Sequence, residues 1–210
     1  MFVEVVKMKD LLINSMMNKI TRYCNYDDTK LKEIKYGLSS LYLNITKLIV
    51  IFGLSYFFGN LRTLLILMGL YSILRLSAFG VHAKKSLHCW IASLFTFTLV
   101  PIICEKIVIN RYISLMISLS CVVLLVIYAP ADTEKRPLIN KKRRTIYKIT
   151  TFITSLIYVA FITQIKDNIL NNCIVFSLLL ATFVVLPITY KLFGVKYNNY
   201  KNYKKGGNKQ

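Results

Sequence analysis

The feature that most constrains this chain is a series of long apolar runs separated by short basic stretches. A helix needs about 17–25 mostly apolar residues to cross the hydrocarbon core of a bilayer, and most of the runs have about that length. The pattern predicts an all-α fold, a polytopic transmembrane helical bundle of about six spans. The six runs are 41–58, 64–81, 90–104, 112–129, 146–165 and 169–189.

The number of spans has an alternative. The second run consists of 64–74 and continues to 81 only if Arg75 is tolerated within it, and the third run, 90–104, is short for a complete crossing. If the segment between these two runs is re-entrant, the count falls toward four spans plus re-entrant segments.

Composition narrows the class of protein. Hydrophobic residues make up 55% of the chain and the mean hydropathy is +0.51, which is too apolar for a soluble domain. The net charge of +19 would suit a nucleic-acid-binding protein if it formed a patch on a soluble fold. Here the basic residues flank apolar runs instead, so we expect anionic membrane lipids and acidic peptides as partners and no nucleic acid.

The basic residues also predict the orientation. If the odd-numbered spans run outward, most of the 28 Lys and Arg residues fall on one side of the membrane. Short basic loops stay in the cytoplasm. Both termini, the turn between the second and third runs and the loop between the fourth and fifth runs are therefore predicted to be cytoplasmic.

The chain divides into three predicted regions. Residues 1–20 have apolar side chains at helical spacing, which predicts an N-terminal amphipathic helix in the membrane interface, and 21–40 are predicted to form a linker or a second surface helix. Together they form the interfacial region 1–40. The transmembrane domain follows at 41–189. The polar, basic tail 190–210 is predicted to be cytoplasmic and disordered.

Chemically reactive side chains gather in the turn between the second and third runs. It contains both histidines of the chain, His82 and His88, together with Cys89. A thiol beside an imidazole can act in nucleophilic catalysis, since the base removes the thiol proton and the thiolate attacks a carbonyl. On one unbroken helix, however, His82 and Cys89 would lie roughly 10 Å apart along the axis. A working pair therefore needs a break, for which Gly80 is suited, and we predict that residues 80–89 do not form one straight helix.

Simpler interpretations of this turn stay open. It could be an ordinary basic loop at the membrane interface, with His88 as an interfacial polar residue. Arg75 could extend its side chain to the lipid headgroups, or it could mark a functional site, because a charge within an apolar run is costly without a partner. The five cysteines show no metal-ligand spacing, so neither a metal nor a disulfide framework is predicted.

Two motifs resemble one family. The stretch with Arg75, Gly80-Val-His82 and Cys89 is similar to the catalytic segment of the accessory gene regulator B (AgrB) family. The loop 128–137, which reads YAPADTEKRP, resembles that family's loop after a central span. The resemblance covers essentially the whole chain. Phe79 departs from the family pattern, in which we expect glycine.

The resemblance implies an activity. Members of the family are membrane cysteine endopeptidases of Gram-positive bacteria that cut the C-terminal tail from a small AgrD-type propeptide during maturation of a quorum-sensing autoinducer. By this resemblance Cys89 is the nucleophile and His82 the general base. Arg75 and Gly80 match positions needed for activity or local shape. The location implied is the bacterial cell membrane, with the active site on the cytoplasmic side and no cofactor.

Further residues on the same predicted side could assist. Asp132 or Glu134 could orient His82, or could pair with Lys135, Arg136 or Arg75. The basic cluster could attract the acidic tail of the substrate, although the positive-inside rule alone also explains it. Its members are Lys141, Lys142, Arg143 and Arg144. A homodimer would also be compatible with the sequence.

Two other classes of function remain as alternatives. One is a peptide exporter that performs no covalent step, and the other is a membrane scaffold. The apolar runs lack the paired acidic and basic residues of a proton relay, and the chain has no nucleotide-binding motif, which favours the peptidase over the exporter.

Overall fold

The computed structural model of the chain describes residues 2–24, 26–81, 86–133 and 137–202. Within these ranges all regular secondary structure is helical, which confirms the predicted all-α class. The helices are α1 (Phe2–Tyr23), α2 (Asp28–Phe57), α3 (Leu61–Ala78), α4 (Ser86–Lys106), α5 (Arg111–Tyr128), α6 (Lys141–Gln164), α7 (Asn168–Val185), α8 (Pro187–Leu192) and α9 (Asn199–Asn202).

Six of these helices, α2 to α7, are long and apolar enough to cross a membrane. This agrees with six predicted spans rather than four. The short third run belongs to α4, which extends over 21 residues and therefore has the length of a complete crossing. Arg75 is accommodated in the last turn of α3. The chain is a multi-pass membrane protein.

The chain forms two compact units, Met1–Leu54 and Ser55–Gln210. In the first unit α1 is the predicted N-terminal helix. The prediction of a linker or separate surface helix over 21–40 is wrong, because α2 begins at Asp28 and continues without interruption into the first apolar run. Asp28 suits a helix N-terminus, since its charge complements the helix dipole, and no proline follows it to stop the helix.

In the second unit α7 is the central helix. In α7, 56% of the residues are buried, whereas in the most apolar 18-residue stretch of each other span at most 33% are buried. It packs against α3, α4, α5 and α6. The other spans expose large apolar side chains, such as Met116 of α5 and Ile153 of α6, as lipid-facing surfaces require.

Polar side chains connect the helices inside this unit. Where α6 crosses α3, Thr151 donates to Ser77 at 2.9 Å and the Tyr158 hydroxyl donates to the Leu70 carbonyl at 2.9 Å. At the opposite end of the bundle, the Asn172 amide donates to the carbonyl oxygens at the end of α4. Hydrogen bonds of this kind stabilise helix pairs in membranes, where the apolar effect gives no preference for protein over lipid.

Three of the spans begin at a capping side chain. Asn110, Asn140 and Asp167 accept backbone N–H groups in the first turns of α5, α6 and α7. These side chains satisfy donors that have no partner within the helix. They set where each span starts and, with it, which residues reach the membrane interface.

The region after α7 differs from the predicted disordered tail. Pro187 ends the central span and starts the short helix α8, whose Tyr190 is 1% exposed and belongs to the core of the second unit. Residues up to 202 are described, and Tyr197 also packs against this core. For residues 190–202 the prediction was wrong, because it weighed the Lys and Asn residues of the tail and not the burial of its tyrosine rings.

Candidate active site

The side chain of Arg75 closes the carboxyl end of α3. Its guanidinium donates hydrogen bonds to three successive carbonyl oxygens beyond the helix, from Nη1 to Phe79 and from Nη2 to Gly80 at 3.4 Å and Val81 at 2.7 Å. A cation at this end of a helix also complements the helix dipole. Arg75 therefore determines the course of the backbone through these three residues.

The backbone at Gly80 tolerates no side chain. Its φ of +113° is a conformation that other residues rarely adopt. A Cβ atom here would lie 2.6 Å from the carbonyl oxygen of Val184 and would also collide with Nη1 of Arg75. Glycine is thus required at this position both for conformation and for space.

Phe79 shares this unusual backbone. Its φ of 57° and ψ of −128° form a conformation that strains a residue with a Cβ atom. Its ring packs edge-on against Tyr147 of α6, with the ring centroids 4.8 Å apart. The position where the family pattern led us to expect glycine is therefore one that glycine would suit, and here an aromatic contact accompanies the strain.

The end of α7 before Pro187 provides the carbonyl group that accepts a hydrogen bond from Val81. Pro187 offers no N–H group to the Phe183 carbonyl, and Leu186 before it is extended, so α7 ends and the carbonyl groups of Phe183 and Val184 have no partner within the helix. The hydroxyl of Thr189 donates to Phe183, and the N–H of Val81 donates to Val184 at 2.8 Å. The end of α7 therefore holds the segment that follows α3.

A third segment meets the same place after α5. Ala131 donates to the carbonyl of Ala78 at 3.0 Å and accepts from the N–H of Gly80 at 2.8 Å. The buried hydroxyl of Tyr190 lies 3.0 Å from the Ala131 carbonyl and 2.9 Å from that of Asp132, donating to this pair. We call the meeting point of segments 78–81, 129–132 and 184–190 the Gly80 junction.

Asp132 is 2% exposed, and its side chain binds backbone N–H groups. Its carboxylate oxygens accept N–H groups from Asn199 at 2.9 Å, Tyr200 at 2.8 Å and Leu138 at 3.4 Å. Among the described residues it forms no ion pair with Arg75, whose guanidinium is directed at carbonyl oxygens. Asp132 thus ties the region after α8 to the loop after α5.

Cys89 lies in the first turn of α4, half-buried and with a free thiol. The hydroxyl of Tyr71 on α3 interacts electrostatically with both the Cys89 thiol and the Arg75 guanidinium. Its ring packs edge-on against Phe97 of α4 at a centroid distance of 5.7 Å. Tyr71 and Arg75 are four residues apart and share one face of α3.

Several predicted residues lie outside the part of the chain that the structure describes. They are His82, Glu134, Lys135 and Arg136, together with the side chain of His88. The prediction that residues 80–89 are not one straight helix is confirmed, because α3 ends at Ala78 and α4 begins only at Ser86. His82 directly follows Val81, whose N–H and carbonyl groups are both bound within the Gly80 junction.

The basic cluster occupies the first turn of α6. Lys141, Lys142 and Arg143 are exposed, whereas Arg144 is half-buried and stacks on the Tyr200 ring, 3.6 Å from its centroid. Lys141 and Arg144 line a cavity of about 260 Å³ that also reaches Pro130, next to the Gly80 junction. The cluster and the junction therefore lie at the same end of the bundle.

Burial affects two tyrosines near the junction. It raises the pKa of the Tyr190 hydroxyl above its ordinary 10.0; the Arg75 guanidinium opposes this, and the Asp132 carboxylate adds to it. Burial also raises the pKa of Tyr197. Both side chains are therefore neutral at physiological pH and can donate hydrogen bonds to the carbonyl groups they face.

The sequence analysis missed three residues of this region. Tyr71 could have been found from its spacing of four residues before Arg75, which places both on one face of a helix. Val184 carried one signal, since Pro187 follows it and frees its carbonyl group. Tyr190 carried no such signal, because its burial depends on contacts with a loop 58 residues earlier in the chain.

Comparison with known proteins gives one family. The family model described as accessory gene regulator B matches residues 13–185. The chain is similar to an AgrB-like protein of Clostridium acetobutylicum, with 32% identity over 89% of this chain and 90% of the relative. It is also similar to an AgrB-like protein of Listeria welshimeri, with 31% identity over 94% of each chain.

A third relative has a more specific description. It is the accessory gene regulator protein B of Staphylococcus epidermidis, with 29% identity over 88% of this chain and 94% of the relative. No solved structure matches the chain.

Proposed function

The chain belongs to the accessory gene regulator B family, and from this premise we propose that it is a membrane-embedded cysteine endopeptidase that cleaves the C-terminal tail from an AgrD-type propeptide. Membership places the chain in accessory gene regulation. The proposal adds the reaction, with Cys89 as nucleophile and His82 as general base.

In the first step the Cys89 thiol gives its proton to His82, and its sulfur attacks the carbonyl carbon of the scissile peptide bond. The C–N bond then breaks, and His82 passes the proton to the departing amine. The tail leaves with a new N-terminus. The rest of the propeptide stays on Cys89 as a thioester.

The thioester explains how a ring can form. It keeps the carbonyl carbon activated, so a cysteine thiol within the propeptide can attack it and release the Cys89 thiol. The product is a thiolactone, and no cofactor is needed. Water would hydrolyse the intermediate and waste the activation, so this chemistry favours a site that excludes water.

The observation that carries the proposal is the Gly80 junction. Hydrogen bonds donated by Arg75 and accepted by the carbonyl groups of Ala131 and Val184 hold the backbone up to Val81, the residue before His82. Cys89 lies in the first turn of α4 as a half-buried, free thiol. A nucleophile and a base on separate segments need such support, because small displacements of catalytic groups cost large factors in rate.

The proposal includes a substrate surface and an orientation. The basic cluster would attract the acidic tail of the propeptide, and its amphipathic leader would lie on the membrane. Both require the junction end of the bundle to face the cytoplasm. In intact cells we expect Lys142→Cys, in the first turn of α6, to be shielded from a membrane-impermeant maleimide. Lys106→Cys lies at the carboxyl end of α4, away from Cys89, and should react.

Co-expression with the propeptide encoded beside this chain tests the reaction. We expect mass spectrometry to show the shortened peptide with the unaltered chain. Cys89→Ala and His82→Ala should leave the propeptide intact. Cys24→Ala is a matched control, because Cys24 is also a half-buried free cysteine, and it should cut normally.

Expression and membrane insertion of each variant must match the unaltered chain, so that misfolding is not mistaken for lost chemistry. Cleavage that survives either Cys89→Ala or His82→Ala would exclude the proposed pair. If the purified chain in liposomes moves uncut propeptide across the membrane and does not cut it, the exporter alternative is correct.

A further inference from the structure

We propose that the cavity between the end of α5, the start of α6 and the tail is a specific site for the headgroup of an anionic phospholipid. The cavity measures about 260 Å³. Three basic side chains line it, Lys141, Arg144 and Lys148, together with the tyrosines Tyr128, Tyr197 and Tyr200. Basic pockets beside transmembrane helices on the cytoplasmic side suit such headgroups.

The three cations share one face of α6. Lys141, Arg144 and Lys148 are separated by three and four residues, the spacing that aligns side chains along a helix. Within the described ranges of the chain, none of them forms an ion pair with a carboxylate. Three positive charges converge on one cavity, so an anion bound there would lower their mutual repulsion.

Arg144 is held in place for binding. Its guanidinium stacks on the Tyr200 ring at 3.6 Å from the centroid, and the backbone N–H of Tyr200 is bound in turn by the Asp132 carboxylate at 2.8 Å. A planar guanidinium fixed in this way presents paired N–H donors that match the oxygens of a phosphate group. The surrounding contacts thus orient the strongest phosphate ligand of the cavity.

The helix dipole adds to the positive field. The amino end of α6 carries a partial positive charge, and four consecutive basic residues, 141–144, stand on its first turn. An Asn140 cap satisfies the first N–H groups but supplies no negative charge. The start of this span therefore lacks the acidic residue that commonly balances a helix amino end.

The rim of the cavity favours a lipid over a soluble anion. Ile127, which lines it, is 59% exposed, and Val123, one turn earlier on the same face of α5, is 58% exposed. In a span these surfaces face acyl chains. A ligand with a charged head and an apolar tail satisfies both the cations and this rim, whereas an acidic peptide satisfies the cations alone.

The occupant would touch the support of the proposed active site. The cavity is lined by Ala129 and Pro130, and the next residue, Ala131, binds Gly80 in the Gly80 junction. The binding proposal itself does not depend on the proposed peptidase activity, because the site is defined by charge and shape alone.

Native mass spectrometry of the full-length purified chain tests the site, with phosphatidylglycerol as the probe and phosphatidylcholine as the neutral comparison. We expect retained phosphatidylglycerol on the unaltered chain. The triple variant Lys141→Gln/Arg144→Gln/Lys148→Gln should bind it at least about tenfold more weakly. The matched variant Lys142→Gln/Arg143→Gln/Lys191→Gln removes the same charge outside the cavity and should weaken binding much less than the cavity variant does.

Two results would overturn the proposal. Equal weakening in both triple variants would mean that the basic face attracts lipid without a defined site. Displacement by hexaglutamate with no preference between the two lipids would assign the cavity to an acidic peptide. If the cavity triple variant fails to fold, the exposed single variants Lys141→Gln and Lys148→Gln serve instead, and unchanged lipid retention in both would also overturn it.

Discussion

Nη2 of Arg75 lies 2.7 Å from the carbonyl oxygen of Val81, the residue directly before His82. A charge in an apolar span needs polar partners, and these are the carbonyl groups beyond the end of its own helix. The same interaction satisfies the charge and sets the path of the chain. In the proposed mechanism Arg75 is therefore a positioning residue.

Replacing Arg75 tests this role. Arg75→Gln should lower the free energy of unfolding by about 2–3 kcal/mol and abolish propeptide cleavage, because it removes a charged donor from three carbonyl groups. Arg75→Lys should recover part of the activity, since an ammonium group keeps the charge but not the fork of donors.

Thermal unfolding in nanodiscs and single-turnover cleavage measure the two effects. Arg62→Gln, at the exposed opposite end of α3, is the control and should change neither. Full activity in Arg75→Gln would show that the carbonyl contacts do not position the site.

Gly80→Ala should be severely destabilising, by about 3 kcal/mol or more, because the methyl group meets the Val184 carbonyl in a backbone conformation unfavourable to alanine. Gly69→Ala, within α3, is the matched glycine control. No atom lies within 4 Å of a Cβ there, so it should be neutral or stabilising by roughly 0.5–1 kcal/mol. Equal unfolding temperatures for the two variants would contradict the Gly80 geometry.

Two substitutions of Phe79 distinguish the effect of backbone strain from that of ring packing. Phe79→Ala removes the Tyr147 contact and keeps the strained backbone, whereas Phe79→Gly removes the contact and relieves the strain. We therefore expect the glycine variant to be more stable than the alanine variant by about 1 kcal/mol. Chemical denaturation of both variants in one detergent measures the difference, and the reverse order would refute strain at this position.

Asp132 should hold the region after α8. In Asp132→Ala the N–H groups of Asn199 and Tyr200 lose their acceptor, and their hydrogen exchange should become faster. Asp167→Ala removes a comparable backbone cap at the start of α7 and serves as the control. Exchange at Asn199 and Tyr200 should not change in that variant. Protection that persists in Asp132→Ala would mean that other contacts hold this region.

The buried hydroxyl of Tyr190 should make the folded chain less stable at alkaline pH. Because burial raises the pKa of its hydroxyl in the folded chain above the ordinary 10.0, the folded state favours the neutral phenol. Its contribution is complete below about pH 10 and declines as the pH rises through the higher pKa of the folded state. Tyr190→Phe should cost about 1–2 kcal/mol at neutral pH and should show a smaller decline above pH 10.

Unfolding temperatures between pH 8 and 11 measure this difference. Tyr23→Phe is the control, since Tyr23 is 86% exposed and should leave the alkaline decline unchanged. An identical decline in the unaltered chain and Tyr190→Phe would show that the Tyr190 hydroxyl does not contribute to it.

The spans were predictable because the bilayer permits few solutions. Apolar runs of sufficient length must be helices, since backbone groups have no other partners in lipid. The boundaries were less predictable outside the membrane. Residues 28–40 are too polar to signal a span, yet they form the first part of α2. The tail from Tyr190 is polar in composition, yet its residues Tyr190 and Tyr197 pack in the core.

The break in the chain at the candidate site was predictable, and the contacts that support it were not. The spacing of His82 and Cys89 and the glycine at position 80 indicated a broken helix, and α3 and α4 are indeed separate. The sequence did not reveal that Val184 and Ala131 would bind this break, because they lie about 100 and 50 residues away along the chain. Such pairings follow from how the helices pack, which local spacing does not encode.

The sequence by itself thus determined a six-span membrane protein, because lipid excludes unpaired backbone groups. It also placed Cys89 beside a predicted break at Gly80. Only the tertiary structure decided that Arg75 turns back onto its own helix end, that Pro187 frees Val184 for Val81, and that Tyr190 is buried in the core. The physical reason is that these carbonyl and hydroxyl groups find their partners only once the three segments meet.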